Sequence, residues 1–140
     1  MPRIDLWFLV AAATCLLVGV SFGIAMGIAH DFHLASVHAH LNLLGWTSLA
    51  LMGLTYRAWP ALARNRVAAL AQFGLSAGAA ILFPIGIYIA IDHQTPEMAI
   101  LAALIWLAGV VLFLARLLLL CLAREETEEP SAAPAMLPAE

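Results

Sequence analysis

Residues 30 to 42 read HDFHLASVHAHLN and carry His30, His33, His38 and His40, four of the five histidines in the chain. The fifth, His93, stands in a second short polar stretch, DHQTPE, with Asp92 and Glu97. Imidazole is the commonest protein metal ligand and changes charge near neutral pH, so such a concentration raises the question of a bound group. Two histidines that grip one zinc ion from a single helix need the i, i+4 spacing that stacks them on one face, and no pair here has it. His38 and His40 are two apart and leave a helix about 200° from each other. They suit different large cofactors, or one faces the fold while the other faces a neighbouring subunit. A copper or zinc site built from His33, His38 or His40, and His93, with Asp31 or Asp92 and with His30 nearby, is the alternative, since imidazole suits both metals.

The elements that must position these groups follow from composition. At 64% hydrophobic and 11% charged residues over 140 positions, the chain lies far from the roughly 45–50% and 25% of soluble domains. Four apolar stretches approach the roughly 20 residues that cross a bilayer: about 6–29, 36–59, 67–91 and 98–122. The connections are short, which makes neighbours antiparallel. The expected fold is therefore an all-α membrane protein, an up-down-up-down bundle of four transmembrane helices within 1–123. The first apolar stretch exceeds the roughly 7–15 residues of a signal-peptide core and reads as a true span. Residues 124–140, REETEEPSAAPAMLPAE, have no apolar face to bury and read as a flexible, acidic, Pro/Ala-rich cytoplasmic tail.

Lys and Arg mark loops retained in the cytoplasm. Arg3, Arg57, Arg64, Arg66 and Arg124 flank one side, and Arg116 lies near enough to snorkel toward it. The other side carries HDFHLA and DHQTPE, without a basic residue other than histidine. Both termini are expected in the cytoplasm and all five histidines on the outer, periplasmic rim of a bacterial inner membrane. Polar groups placed at membrane depth usually mark function. A single histidine at an interface needs no ligand to explain it, but five on one rim with three acids favour a ligand site. Cys15 and Cys121 fall in the inner halves of their helices and read as apolar packing residues.

Continuing from His38 at helical spacing gives Asn42, Gly45, Leu49, Met52 or Gly53, and Tyr56, a stripe of small and polar groups on a Leu- and Ala-rich helix. On the first helix Gly19, Gly23 and Gly27 recur every four residues. That run reads as close helix contact or as a smooth groove that lets a flat macrocycle approach the backbone. Gly74 and Gly78 repeat it more weakly on the third helix, followed by Pro84 and Gly86, an expected kink.

HAHLNLLGW followed by SLALMGLTYRAWP, roughly Val37 to Pro60, resembles the small four-helix relatives of haem-copper oxidase subunit I, nearest the C-type oxidase and nitric oxide reductase branch. The resemblance implies that His38 and His40 are haem-iron ligands, directed to two haems from opposite faces of one helix. The family's catalytic subunits have about three times as many helices, a copper-binding set with an adjacent His-His pair, and a catalytic tyrosine. This sequence has no His-His pair, and Tyr56 and Tyr88 lack the supporting motif. The implied role is thus an oxidoreductase component that binds haem b, in electron transfer or diatomic gas binding, without oxidase activity alone. Attachment is b-type because no C-x-x-C-H occurs. His93, His33, His30 or Met26 could supply a second axial ligand, as could another copy of the chain. Asn42 and Gly45 would line the haem. Membrane lipid, a homo-oligomer or a respiratory complex, and a periplasmic or quinone redox partner are the expected associates. A cofactor-free accessory subunit is the remaining reading, and no nucleic-acid partner is expected.

Overall fold

The computed structural model describes residues 3–128, with side chains through residue 123. Four helical runs and no strand occur among the described residues. Helix α1 spans Ile4–Ala29. Helix α2 is composite: α-helical over Ala35–His40, π-helical over Leu41–Ser48 and α-helical again over Leu49–Ala58. A 3-10 turn, Pro60–Ala63, leads to α3, Arg66–His93, and α4 follows as Glu97–Glu128.

The ends have local causes. Pro60 opens the 3-10 turn where its missing N–H costs nothing, and the Asn65 side chain caps α3 by accepting the Ala68 N–H at 3.1 Å. Helix α1 stops where His30 turns left-handed at φ 52°, its N–H donating to Gly27 O while Asp31 N–H reaches Met26 O. Gln94 ends α3 in the same way at φ 57°. This conformation usually falls to glycine or asparagine, so neither stop is advertised by residue type.

Two differences from the sequence reading stand out. His93 is the last residue of α3, not part of the following loop. Helix α4 runs on to Glu128, past the expected end at Leu122 and into the segment read as tail. Arg, Glu and Thr propagate a helix adequately and the first breaker is Pro130. The remaining tail residues, 129–140, lie outside the described ones.

Contacts between helices fix their directions. Gly53 lies against Phe8, Gly45 against Cys15, Gly19 against Asn42 and Gly23 against His38, so α1 and α2 run antiparallel. Gly109 meets Ser76 and Gly86 meets Ala99, so α3 and α4 do as well. The core sits among α1, α2 and α3. Phe8 stacks on Tyr56 at 5.4 Å and meets Phe73 edge-on at 5.1 Å, with Leu44, Leu49, Met52, Ala69, Ala77 and Ala80 around them. Leu44 and Leu49 are five apart yet both buried, the spacing that a π-helical i→i+5 turn brings onto one face.

One buried polar group bridges α2, α3 and α4. Gln72 is fully buried; its Nε2 donates to Ser76 Oγ and Gly109 O, both at 2.9 Å, and lies 4.0 Å from Met52 Sδ. Many large apolar side chains point outward, among them Leu17, Ile28, Val67, Leu119 and Leu122. Three helices, Ile4–Ala29, Arg66–His93 and Glu97–Ala123, are long and apolar enough to cross a membrane, and an apolar exterior is what a lipid environment requires.

Candidate histidine site

All five histidines lie at the ends of α1, α2 and α3, or in the turn joining α1 to α2, away from the arginine-bearing turn at 57–66. Their surroundings differ.

His38 is half-buried against α1, and its Nδ1 is 2.9 Å from Gly19 O. A carbonyl oxygen only accepts, so Nδ1 carries a proton, and in the neutral ring the lone pair is on Nε2. Asn42, one turn on, donates its Nδ2 to His38 O at 2.9 Å. That amide also sits 3.4 Å from His38 Nδ1, which is already committed as a donor. Glycine at 19 and 23 makes this approach possible: a Cβ on Gly19 would stand 2.5 Å from Asn42 Nδ2, and one on Gly23 would stand 2.7 Å from His38 Cε1.

His40 repeats the arrangement on the other side of α2. Its Nδ1 lies 2.8 Å from Ser36 O, one turn earlier, and its ring meets Phe83 of α3 edge-on at 5.0 Å. Again Nδ1 carries a proton, and in the neutral ring the lone pair is on Nε2. Metal-ligating histidines are commonly held in this state, one ring nitrogen bonded to a carbonyl and the other available to the metal.

The other three histidines are exposed. His33 donates from Nδ1 to Asp31 Oδ1 at 2.9 Å, and its backbone N–H reaches the same oxygen at 3.1 Å. The His33 backbone N–H, then its ring, holds the Asp31 carboxyl below the ordinary aspartate range. His93 Nε2 lies 3.4 Å from Asp92 Oδ2. His30 is the left-handed cap of α1. Among the described residues, no group of three or more His, Cys, Asp or Glu side chains comes together in a way that could hold a metal ion. His33, His38, His40 and His93 are thus not gathered around one point.

Asn42 and Gly45 continue the His38 stripe, and α1 covers both. A Cβ on Gly45 would stand 2.7 Å from Cys15 Cβ. The glycine groove of α1 is accordingly filled by α2 at Gly19 and Gly23, while Gly27 has open space. The larger space lies beside it. A cavity of about 590 Å3 is lined by residues of α1, α2 and α3, among them Val18, Phe22, Val37, Leu41, Ile81 and Pro84. Val37 and Leu41 flank the two histidines in sequence, and Pro84 follows Phe83, on which His40 rests. That volume falls within the roughly 300–1,000 Å3 of ligand pockets.

Sequence reasoning missed Phe83, the Gly19 carbonyl and the cavity. Ser36 stands one turn before His40 and was legible as its acceptor, whereas Gly19 O depends on helix register, which no residue type announces. Compared with known proteins, the chain matches no protein-family model, and neither a curated protein nor a solved structure is significantly similar to it.

Proposed function

We propose that this chain is a membrane haem b-binding protein, an up-down-up-down bundle of four spans with both termini in the cytoplasm and its histidine rim facing the periplasm. The observation that carries the reading is the arrangement on α2: His38 and His40 each donate Nδ1–H to a backbone carbonyl, which in the neutral ring leaves the lone pair on Nε2. The resemblance of Val37–Pro60 to haem-copper oxidase subunit I assigns the same two residues as iron ligands. Bound haem supplies one-electron transfer, or diatomic gas binding where an axial position is open. The apolar cavity beside Val37 and Leu41 adds room for a large flat ligand, and His93 is the candidate for an outer position.

The test is the absorption spectrum of the purified protein. A Soret band that is lost or changed in form in His38→Ala supports the reading; His40→Ala does the same if both imidazoles bind iron. Protein made with haem available yet lacking a Soret band overturns it. So does a spectrum unaltered in both variants.

A second reading, a cofactor-free accessory subunit, has one observation in its favour. Gly74 and Gly78 of α3 meet nothing within 4 Å, which leaves a small-residue face of the kind other membrane helices pack against. The same face suits a homo-oligomer or docking on a respiratory complex. Mass measurement in detergent giving only monomers with full cofactor content counts against both associations.

A further inference from the structure

At the end opposite the histidines, the structure holds a second site of different chemistry. A cavity of about 470 Å3 opens between the 60–65 turn, the start of α3 and the later half of α4. Its walls are apolar, including Leu112, Ala115 and Leu119, but Arg64, Asn65 and Arg116 also line it. Arg116 is half-buried. Its guanidinium donates to Tyr56 Oη and Leu62 O and lies 5.3 Å from the Tyr56 ring centroid. Those partners are neutral. Among the described residues Arg57 is the only arginine in an ion pair, with Asp5 at 3.5 Å, and no described carboxylate pairs with Arg64 or Arg116. A guanidinium partly withdrawn from water strongly favours an anionic partner, and the apolar walls below favour hydrocarbon.

We infer that this cleft binds the headgroup of an anionic glycerophospholipid, its phosphate held by Arg64 and Arg116 and an acyl chain laid along Leu112, Ala115 and Leu119. Basic pockets between membrane helices on the cytoplasmic side are a recurrent form of lipid recognition. An amphiphile satisfies both halves of the cleft, whereas a free phosphate satisfies only the arginines. The inference rests on the chain lying in a bilayer and is independent of haem.

The experiment is native mass spectrometry of the full chain in mild detergent with equal amounts of phosphatidylglycerol and phosphatidylcholine of identical acyl chains. The expected result is selective retention of phosphatidylglycerol. Arg64→Gln, an exposed position outside the packing of Arg116, should lower the preference roughly fivefold, the effect of one basic residue near the headgroup. Ala115→Phe, also exposed, fills the groove and should remove the bound lipid while leaving helicity and melting unchanged. Equal retention of the two lipids overturns the proposal, as does an unaltered preference in Arg64→Gln. Displacement of the lipid by millimolar inorganic phosphate shows a free-phosphate site and overturns it as well.

Discussion

Replacing single glycines by alanine along the α1–α2 contact should give opposite results at neighbouring positions, because the space each Cβ would enter is so different. At Gly45 the new carbon would stand 2.7 Å from Cys15 Cβ and 2.8 Å from its sulfur, about 1 Å inside ordinary carbon contact. Cys15 Cβ is fixed to the backbone, so the two helices must part. Overpacking of this kind costs about 1–3 kcal/mol, against which the better helix propensity of alanine returns up to about 1 kcal/mol. At Gly19 and Gly23 the obstacles are the Asn42 amide and the His38 ring. Those groups can swing aside, but each loses a hydrogen bond worth about 1 kcal/mol. Gly27 has nothing within 4 Å, so Gly27→Ala should be neutral or stabilising by up to about 1 kcal/mol. The four variants can be ranked by helicity during unfolding in mixed micelles of rising denaturing-detergent fraction. Gly45→Ala should fall about 1–3 kcal/mol below Gly27→Ala, the propensity gain being common to both, with Gly19→Ala and Gly23→Ala between them. If Gly27→Ala destabilises as much as Gly45→Ala, the packing register of α1 on α2 described above is wrong.

Gln72→Glu should destabilise by several kcal/mol or take up a proton, because it turns a donor facing Gly109 O into a second acceptor in a fully buried site. Gln72→Leu should cost only about 0.6 kcal/mol, the average for an interhelical hydrogen bond in a membrane protein; equal tolerance of Glu and Leu in detergent unfolding would contradict the buried placement. Asp31, held low by the His33 N–H and ring, should show a carboxyl carbon midpoint below about 3.9 in an NMR titration. A folded-state value below the unfolded one stabilises the turn above the unfolded pKa and ceases to do so as pH falls through the folded one. Asp31→Asn should remove that acid-side dependence, and a midpoint at or above the ordinary value would contradict the His33 contacts.

Hydropathy located the apolar segments because membrane-length runs of Leu, Ala and Ile need no tertiary information. Asn65 and Pro60 were legible as helix-boundary residues for equally local reasons. The left-handed stops at His30 and Gln94 were not, since neither residue is typical of that conformation. Nor was the π-helical stretch. LNLLGWTS has no breaker that announces it; the Ser48 hydroxyl donates to Leu43 O, five residues back, a local bond compatible with several helix types. The wider turn lets Leu44 and Leu49 share the buried face. Segments of this type often occur at functional sites, and this one starts directly after His40.

The same structure changes what the glycines of α1 mean. Read from sequence, GxxxGxxxG above a histidine suggested either close packing or a smooth bed for a macrocycle. In the fold, close packing is itself the chemical device. Without side chains at 19 and 23, α2 comes near enough for an imidazole to reach the Gly19 carbonyl, a backbone group already engaged in its own helix yet with a second lone pair to offer. That bond determines which nitrogen of His38 holds the proton and fixes the plane of its ring. His40 obtains the same tautomer from Ser36 within its own helix. Two different local solutions therefore converge on one tautomer of the neutral ring, with the Nε2 lone pair on each of two oppositely directed imidazoles. Interfacial solvation alone would leave the tautomer unconstrained. A pair of ligands for two separate partners requires it to be set twice, which is why the hydrogen bonds of Nδ1, more than the number of histidines, support the haem-binding proposal.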